Sequence, residues 1–82
     1  MIHRTFRVGL AQGLEVYTAS KMADMSERYP CCLRMNYEGT DVNVGSLLNI
    51  VAMGIIPGSE IVISADGEQE IEAVNAYYAL LS

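Results

Sequence analysis

The chain has 82 residues, 51% of them hydrophobic, and a formal net charge of −5. This length suits one core, and we expect residues 1–82 to form a single domain. The five basic residues are scattered, which argues against nucleic-acid binding. No apolar run approaches the roughly 20 residues of a membrane helix, and no signal peptide is apparent. We therefore expect a cytoplasmic protein that does not bind membranes.

The first part of the chain predicts a strand followed by a helix. The stretch "HRTFRVGL" at 3–10 alternates between polar and apolar and indicates the strand, and residues 9–14 are predicted to form a glycine-bounded loop. From Val16 to Arg28 the spacing becomes helical and gives a face of small residues, which would let the helix lie close to a sheet. Pro30 disfavours helix at the residue before it and ends the segment. The residues of the small face are Ala19, Met22, Ala23 and Ser26.

Residues 31–37, "CCLRMNY", predict a second strand that begins with two adjacent cysteines. Neighbouring side chains on a strand point to opposite faces, so an internal disulfide is not expected. No second cysteine pair and no nearby histidine completes a zinc site. We expect one buried and one partly exposed thiol, and neither a metal nor a cofactor.

The second half predicts a hairpin, a short helix, a strand and a final helix. Gly39 provides the turn into a return strand at 40–44, and Ser46 is placed to cap a helix over 47–53 that Gly54 closes. Residues 60–66 predict a strand. Residues 68–82 predict an amphipathic helix, whose inward face is Ile71, Val74, Tyr78 and Leu81. The order βαββαβα indicates an α+β sandwich with helices on one face of an antiparallel sheet.

With these elements the chain resembles HPr, the phosphocarrier of the bacterial phosphoenolpyruvate-dependent sugar phosphotransferase system, over residues 2–81. The similar stretches are "GL" at 13–14, "YEGTDVNVGSLLNIVAMGI" at 37–55 and "PGSEIVISADGEQEIEAV" at 57–74. The resemblance implies an open-faced sandwich with strand order 1-4-2-3, covered on one face by three helices.

The resemblance also implies a carrier site where the first helix begins. In the family pattern a histidine accepts a phosphoryl group from enzyme I, beside an arginine and a proline. Here these positions are Glu15, Tyr17 and Thr18. The only histidine, His3, lies on the first strand, and neither Thr18 nor Ser20 has an adjacent base to activate it. A carboxylate would repel the incoming phosphate, so we expect no phosphocarrier activity, no catalytic residue and no enzymatic function.

Glu15 has two interpretations. It either stabilises the helix start, which is worth about 0.3–1 kcal/mol, or it imitates the negative charge of a phosphorylated carrier. Ser46 also has two. It matches the serine that HPr kinase phosphorylates in many Gram-positive members before they bind a catabolite-control repressor, or it is only an N-cap worth about 1 kcal/mol. Gly45 and Tyr17 replace basic residues of the family, which puts the usual repressor contact in doubt.

Several apolar residues match the family's docking patch, and together with Tyr17 they form the predicted partner-binding surface. They are Leu47, Leu48, Val51 and Met53. Our leading hypothesis is a regulatory adaptor without carrier activity, as in the relative Crh, which also lacks the histidine. Its partners would be HPr kinase, phosphotransferase components or a transcriptional regulator, with control at Ser46. Two alternatives stay open: a phosphocarrier with an unusual acceptor, and a structural or oligomer-forming domain.

Overall fold

A computed structural model describes residues 1–11 and 14–82. Gln12 and Gly13 lie outside the described residues, and Gly13 is the first residue of the "GL" motif. The strands form one antiparallel sheet in the order β1-β4-β2-β3. This confirms the predicted α+β open-faced sandwich and its strand order. The elements are β1 (Ile2–Arg7), α1 (Val16–Ser26), β2 (Cys31–Tyr37), β3 (Thr40–Asn43), α2 (Leu47–Ala52), β4 (Glu60–Gly67) and α3 (Glu70–Leu81).

The sheet buries one face beneath the helices. On the central strand β4, Ile61, Ile63 and Ala65 are buried, while Val62 and Ser64 between them are half-buried on the open face. This is the period of two that a half-covered strand requires. Cys31 and Cys32 are both free thiols, one half-buried and one exposed. The expected fully buried thiol is therefore absent, because Cys31 pairs with Gly67 at the end of β4.

Several predicted boundaries differ from the structure by one to three residues, and two of these differences have identifiable reasons. β1 ends at Arg7, although the alternating stretch runs to residue 10 and the loop was predicted from residue 9. Beyond the strand, the Gly9 N–H bonds to the carbonyl of Leu81 at the end of α3, 2.8 Å away. α1 ends at Ser26 instead of Arg28. The Arg28 N–H bonds to the carbonyl three residues earlier, which tightens the last turn into a 3₁₀-type turn.

The turn between β2 and β3 requires positive φ at two residues. Glu38 has φ 52° and Gly39 has φ 82°, which is the type I′ geometry that matches the twist of a tight hairpin. The sequence predicted the glycine's role, but Glu38 is an unusual residue in this conformation.

The buried face of α3 differs from the prediction. Its buried residues are Ala73, Val74, Tyr77 and Leu81. The predicted Ile71 is 63% exposed, and Tyr78 is half-buried. On the face that is buried, the Tyr77 hydroxyl donates a 2.7 Å hydrogen bond to the backbone carbonyl of Met22 on α1. Tyr78 instead packs edge-on against Phe6 on β1, with ring centroids 5.1 Å apart.

Candidate functional site

The start of α1 is fixed by its backbone. Leu14 is buried, and its N–H donates to the carbonyl of Ile55 at 3.1 Å. Glu15 occupies the N-cap position with extended backbone, and its carbonyl accepts the Ala19 N–H at 2.9 Å. Its exposed side chain makes no cap hydrogen bond. The carboxylate therefore stands at the positive end of the helix dipole, where negative charge is stabilised.

The first turn of α1 presents apolar and aromatic surface. Val16 and Tyr17 are 59% and 69% exposed. The Lys21 ammonium lies 4.7 Å from the centroid of the Tyr17 ring, a cation–π contact between residues four apart on one helix. Thr18 is half-buried at the third helical position. The exposed aromatic ring of this turn is thus covered on one side by the Lys21 cation.

The start of α2 is fixed by Asn43 instead of by Ser46. Ser46 occupies the predicted N-cap position, but its hydroxyl makes no cap hydrogen bond, so that part of the prediction is wrong. The Asn43 side-chain oxygen accepts the Gly45 N–H at 2.7 Å, and its carbonyl accepts the Ser46 N–H at 3.0 Å. Asparagine is favoured in such turns, and this preference was the signal that could have identified it.

The helices α1 and α2 run side by side in opposite directions. At one end Leu14 bonds to Ile55. At the other end, a Cβ on Gly45 would lie 3.2 Å from the Ser26 hydroxyl oxygen. Tyr17 is nine residues before Ser26, about 14 Å along the helix. The structure therefore does not bring Tyr17 and Ser46 together, and they lie near opposite ends of the helix pair.

The predicted apolar residues divide into exposed and half-buried groups. Leu48 is 80% exposed, whereas Leu47, Val51 and Met53 are half-buried against the core. Val16 and Ile56, the latter 64% exposed, are further apolar side chains at the Tyr17 end that sequence reasoning missed. We call the combined set the α1–α2 surface; it comprises Val16, Tyr17, Leu47, Leu48, Val51, Met53 and Ile56.

Other chemically active side chains lie away from this surface. His3 is exposed on the edge strand β1, opposite Ser64 in the sheet register. In residues 1–11 and 14–82, no group of three or more His, Cys, Asp or Glu side chains is arranged to hold a metal ion. Among the described helices, none has both the length and the apolar character needed to cross a membrane.

The fold is the open-faced sandwich that the resemblance implies, and its first helix begins just after the buried Leu14. Residues 2–82 match the family model described as "PTS HPr component phosphorylation site". The chain belongs to the HPr family, which includes phosphocarrier proteins. The resemblance inferred from the sequence is thereby confirmed.

Solved structures of this family superpose closely on the chain. HPr from Bacillus anthracis str. Ames has a TM-score of 0.93 at 26% identity, covering 99% of this chain and 96% of its own. A Mycoplasma histidine-containing phosphocarrier protein has 0.87 at 25%, covering 96% and 90%. Crh, described as a catabolite repression protein of Bacillus subtilis, has 0.76 at 25%, covering 98% and 92%, and its structure is described as a dimer with a swapped domain.

Proposed function

We propose that this HPr-family chain is a regulatory adaptor that does not carry phosphoryl groups. One observation supports the proposal above all others. The α1 entrance keeps a regular helix start and a buried Leu14 anchor. Its exposed positions, however, hold Glu15 and Tyr17 where the family pattern has histidine and arginine.

The chemistry of phosphoryl transfer explains why this exchange matters. An imidazole is nucleophilic near neutral pH, and an arginine can bind the phosphate with several hydrogen bonds. Glu15 instead places a carboxylate where the dianionic phosphoryl group would dock. The sole histidine, His3, lies on the edge strand β1 and is not part of the α1 entrance.

Ser46 is the proposed control point. Its hydroxyl is half-buried and is not used to cap α2, since Asn43 fixes that turn. Modification would therefore not break a helix cap. A phosphoserine would add about −1.5 to −2 charges at the α2 end of the α1–α2 surface. We expect this charge to change the affinity for a partner.

The proposed partners are proteins: HPr kinase, phosphotransferase components or a transcriptional regulator. Leu48 and Tyr17 supply the largest exposed apolar side chains of the α1–α2 surface, and exposed apolar side chains on one face are typical of interfaces. The similarity to Crh, described as a catabolite repression protein, supports a regulatory role.

Phosphorylation by HPr kinase tests the switch. The purified chain is incubated with ATP and the kinase, and its intact mass is measured. We expect a gain of one phosphate group that disappears in Ser46→Ala and persists in Ser20→Ala, a matched change at an exposed serine of α1. An unmodified wild-type chain would remove Ser46 from the proposal.

Binding of the kinase to the immobilised chain tests the surface. Leu48→Asp places a charge on the α1–α2 surface at the start of α2 and should weaken binding at least tenfold, because buried charge at an interface is costly. Ile71→Asp is the control, since Ile71 is similarly exposed on α3. Equal affinity of both variants would exclude this surface.

Oligomer formation is a second candidate, favoured by one observation. Crh, at 25% identity, is described as a swapped-domain dimer. Sedimentation of the chain over a range of concentrations tests this candidate. A single monomeric species throughout would remove it.

A further inference from the structure

A groove lies between α2 and the β2–β3 hairpin, and no residue of α1 lines it. Its volume is about 390 Å³, within the range of roughly 300–1,000 Å³ in which small ligands and side chains are bound. The groove is open to solvent and shares Met53 with the α1–α2 surface. Its lining includes Tyr37, Glu38, Thr40, Val42, Asn49 and Met53.

The groove combines an apolar floor with uncommitted polar groups. Val42 is buried and Met53 is half-buried. In the described part of the chain, the polar side chains along the rim make no hydrogen bond or salt bridge to other residues, so they are available to a ligand. These side chains are Tyr37, Glu38, Thr40 and Asn49. Glu38 supplies the only charge among the lining residues.

Glu38 adopts a backbone conformation that is unfavourable for glutamate. Its φ of 52° lies in the left-handed region, where asparagine, aspartate or glycine is the usual choice for this turn. Gly39 beside it meets the same requirement without a side chain. A strained residue that lines a cavity is a reason to look for a role of its side chain. Here the side chain brings a carboxylate to the groove.

This chemistry selects one kind of ligand. The carboxylate of Glu38 disfavours anions, and the apolar floor of Val42 and Met53 suits a short hydrocarbon stem. A planar guanidinium can pair with a carboxylate through two hydrogen bonds and stack on an aromatic ring such as Tyr37. A lysine ammonium lacks that plane. An arginine side chain therefore fits the groove best.

We propose that the groove binds an arginine side chain of the protein that docks on the α1–α2 surface. This inference rests on the proposed adaptor function and names the chemistry of its partner. Two features connect the groove to that surface: Met53 belongs to both, and Asn49 on the rim follows the highly exposed Leu48. A partner covering Leu48 would therefore also border the groove at Asn49.

Nuclear magnetic resonance titration of the full chain tests the proposal. The probe is N-acetyl-arginine methylamide, which carries the side chain in a peptide setting. We expect saturable shifts confined to residues 37–42 and 49–53. Butylguanidinium should bind at the same place, whereas butanol and butyrate should not, because they lack the positive charge.

Two variants locate the binding chemistry. Glu38→Gln keeps the size of the side chain and the turn, and should weaken binding about tenfold because charge-assisted hydrogen bonds are lost. Glu68→Gln removes the same charge from an exposed residue outside the groove and should leave the affinity within about twofold, since charges on the surface are screened.

Three outcomes would overturn the proposal: no saturable binding of either guanidinium probe, equal affinity in Glu38→Gln and wild type, or binding of butylguanidinium without the peptide-linked arginine. The last would assign the groove to a small free cation. Because the titration contains no partner protein, its failure is distinct from failure of the Ser46 and Leu48 experiments.

Discussion

The starts of α1 and α2 are each held by a hydrogen bond from a residue just before the helix, but they present different side chains to solvent. Leu14 anchors the first through its bond to Ile55, and Asn43 anchors the second through its bond to Gly45. At the first, glutamate occupies the acceptor position of the family pattern; at the second, the hydroxyl of Ser46 is kept. The residues that build each helix start are not the ones that would react. Reactive chemistry can therefore be lost at one start while the fold is preserved.

The largest expected change in stability distinguishes the buried residue of α2 from an exposed one. Ile50 is the buried residue of α2, and Leu48 is 80% exposed. Ile50→Ala should lower the free energy of unfolding by about 2–5 kcal/mol through the cavity that it leaves. Leu48→Ala should change it by less than about 0.5 kcal/mol. Urea unfolding measures both free energies, and equal losses of stability would contradict the division of α2 into a buried and an exposed side.

The next effect is a pH dependence of stability that arises from the hydrogen bond between α3 and α1. Burial raises the pKa of the Tyr77 hydroxyl, which donates to the Met22 carbonyl. The unfolded chain releases this proton from about pH 10, while the folded chain retains it. Stability from this group is complete below about pH 10 and falls by about 1.4 kcal/mol per pH unit above it.

Tyr77→Phe is the control for this prediction. It removes one buried hydrogen bond and should cost about 0.5–1.5 kcal/mol near neutral pH. It should also flatten the alkaline loss of stability, because the titrating group is gone. Chemical unfolding at several pH values gives both quantities. An alkaline loss of the same slope in Tyr77→Phe would show that other groups cause it.

A smaller effect compares the two residues at the α2 entrance. Asn43→Ala removes the side-chain acceptor of the Gly45 N–H and should cost about 1 kcal/mol. Ser46→Ala should cost less than about 0.5 kcal/mol, the range of substitutions that remove no specific interaction. Thermal or urea unfolding distinguishes them. A greater loss for Ser46→Ala would restore the serine as the cap.

Local patterns predicted much of the fold, and the resemblance supplied the strand order. The alternation of Ile61, Ile63 and Ala65 determines which face of β4 is buried, and Gly39 marked the hairpin. The face of α3 was misplaced because Ile71 and Tyr77 both suit helical spacing. Tertiary packing distinguishes them: Tyr77 is buried and its hydroxyl donates to the Met22 carbonyl, whereas Ile71 is 63% exposed.

The site was less predictable, because it depends on how distant segments pack. The distance between Tyr17 and Ser46 follows from the opposite directions of α1 and α2, which no local pattern contains. The groove at Glu38 forms between the hairpin and α2. Glu38 itself has a φ of 52°, a conformation that glutamate rarely adopts. The exposure of Val16 and Ile56 likewise depends on what packs beside them.

Incubation with enzyme I and phosphoenolpyruvate shows whether the α1 entrance can carry a phosphoryl group, and we expect that it cannot. The wild-type chain should take up no acid-labile phosphate by intact mass. The variant Glu15→His, Tyr17→Arg, Thr18→Pro should take it up, since proline is tolerated in the first helical turn where Thr18 lies. Acid-labile phosphate on the wild-type chain that is lost in Glu15→Ala would contradict the account.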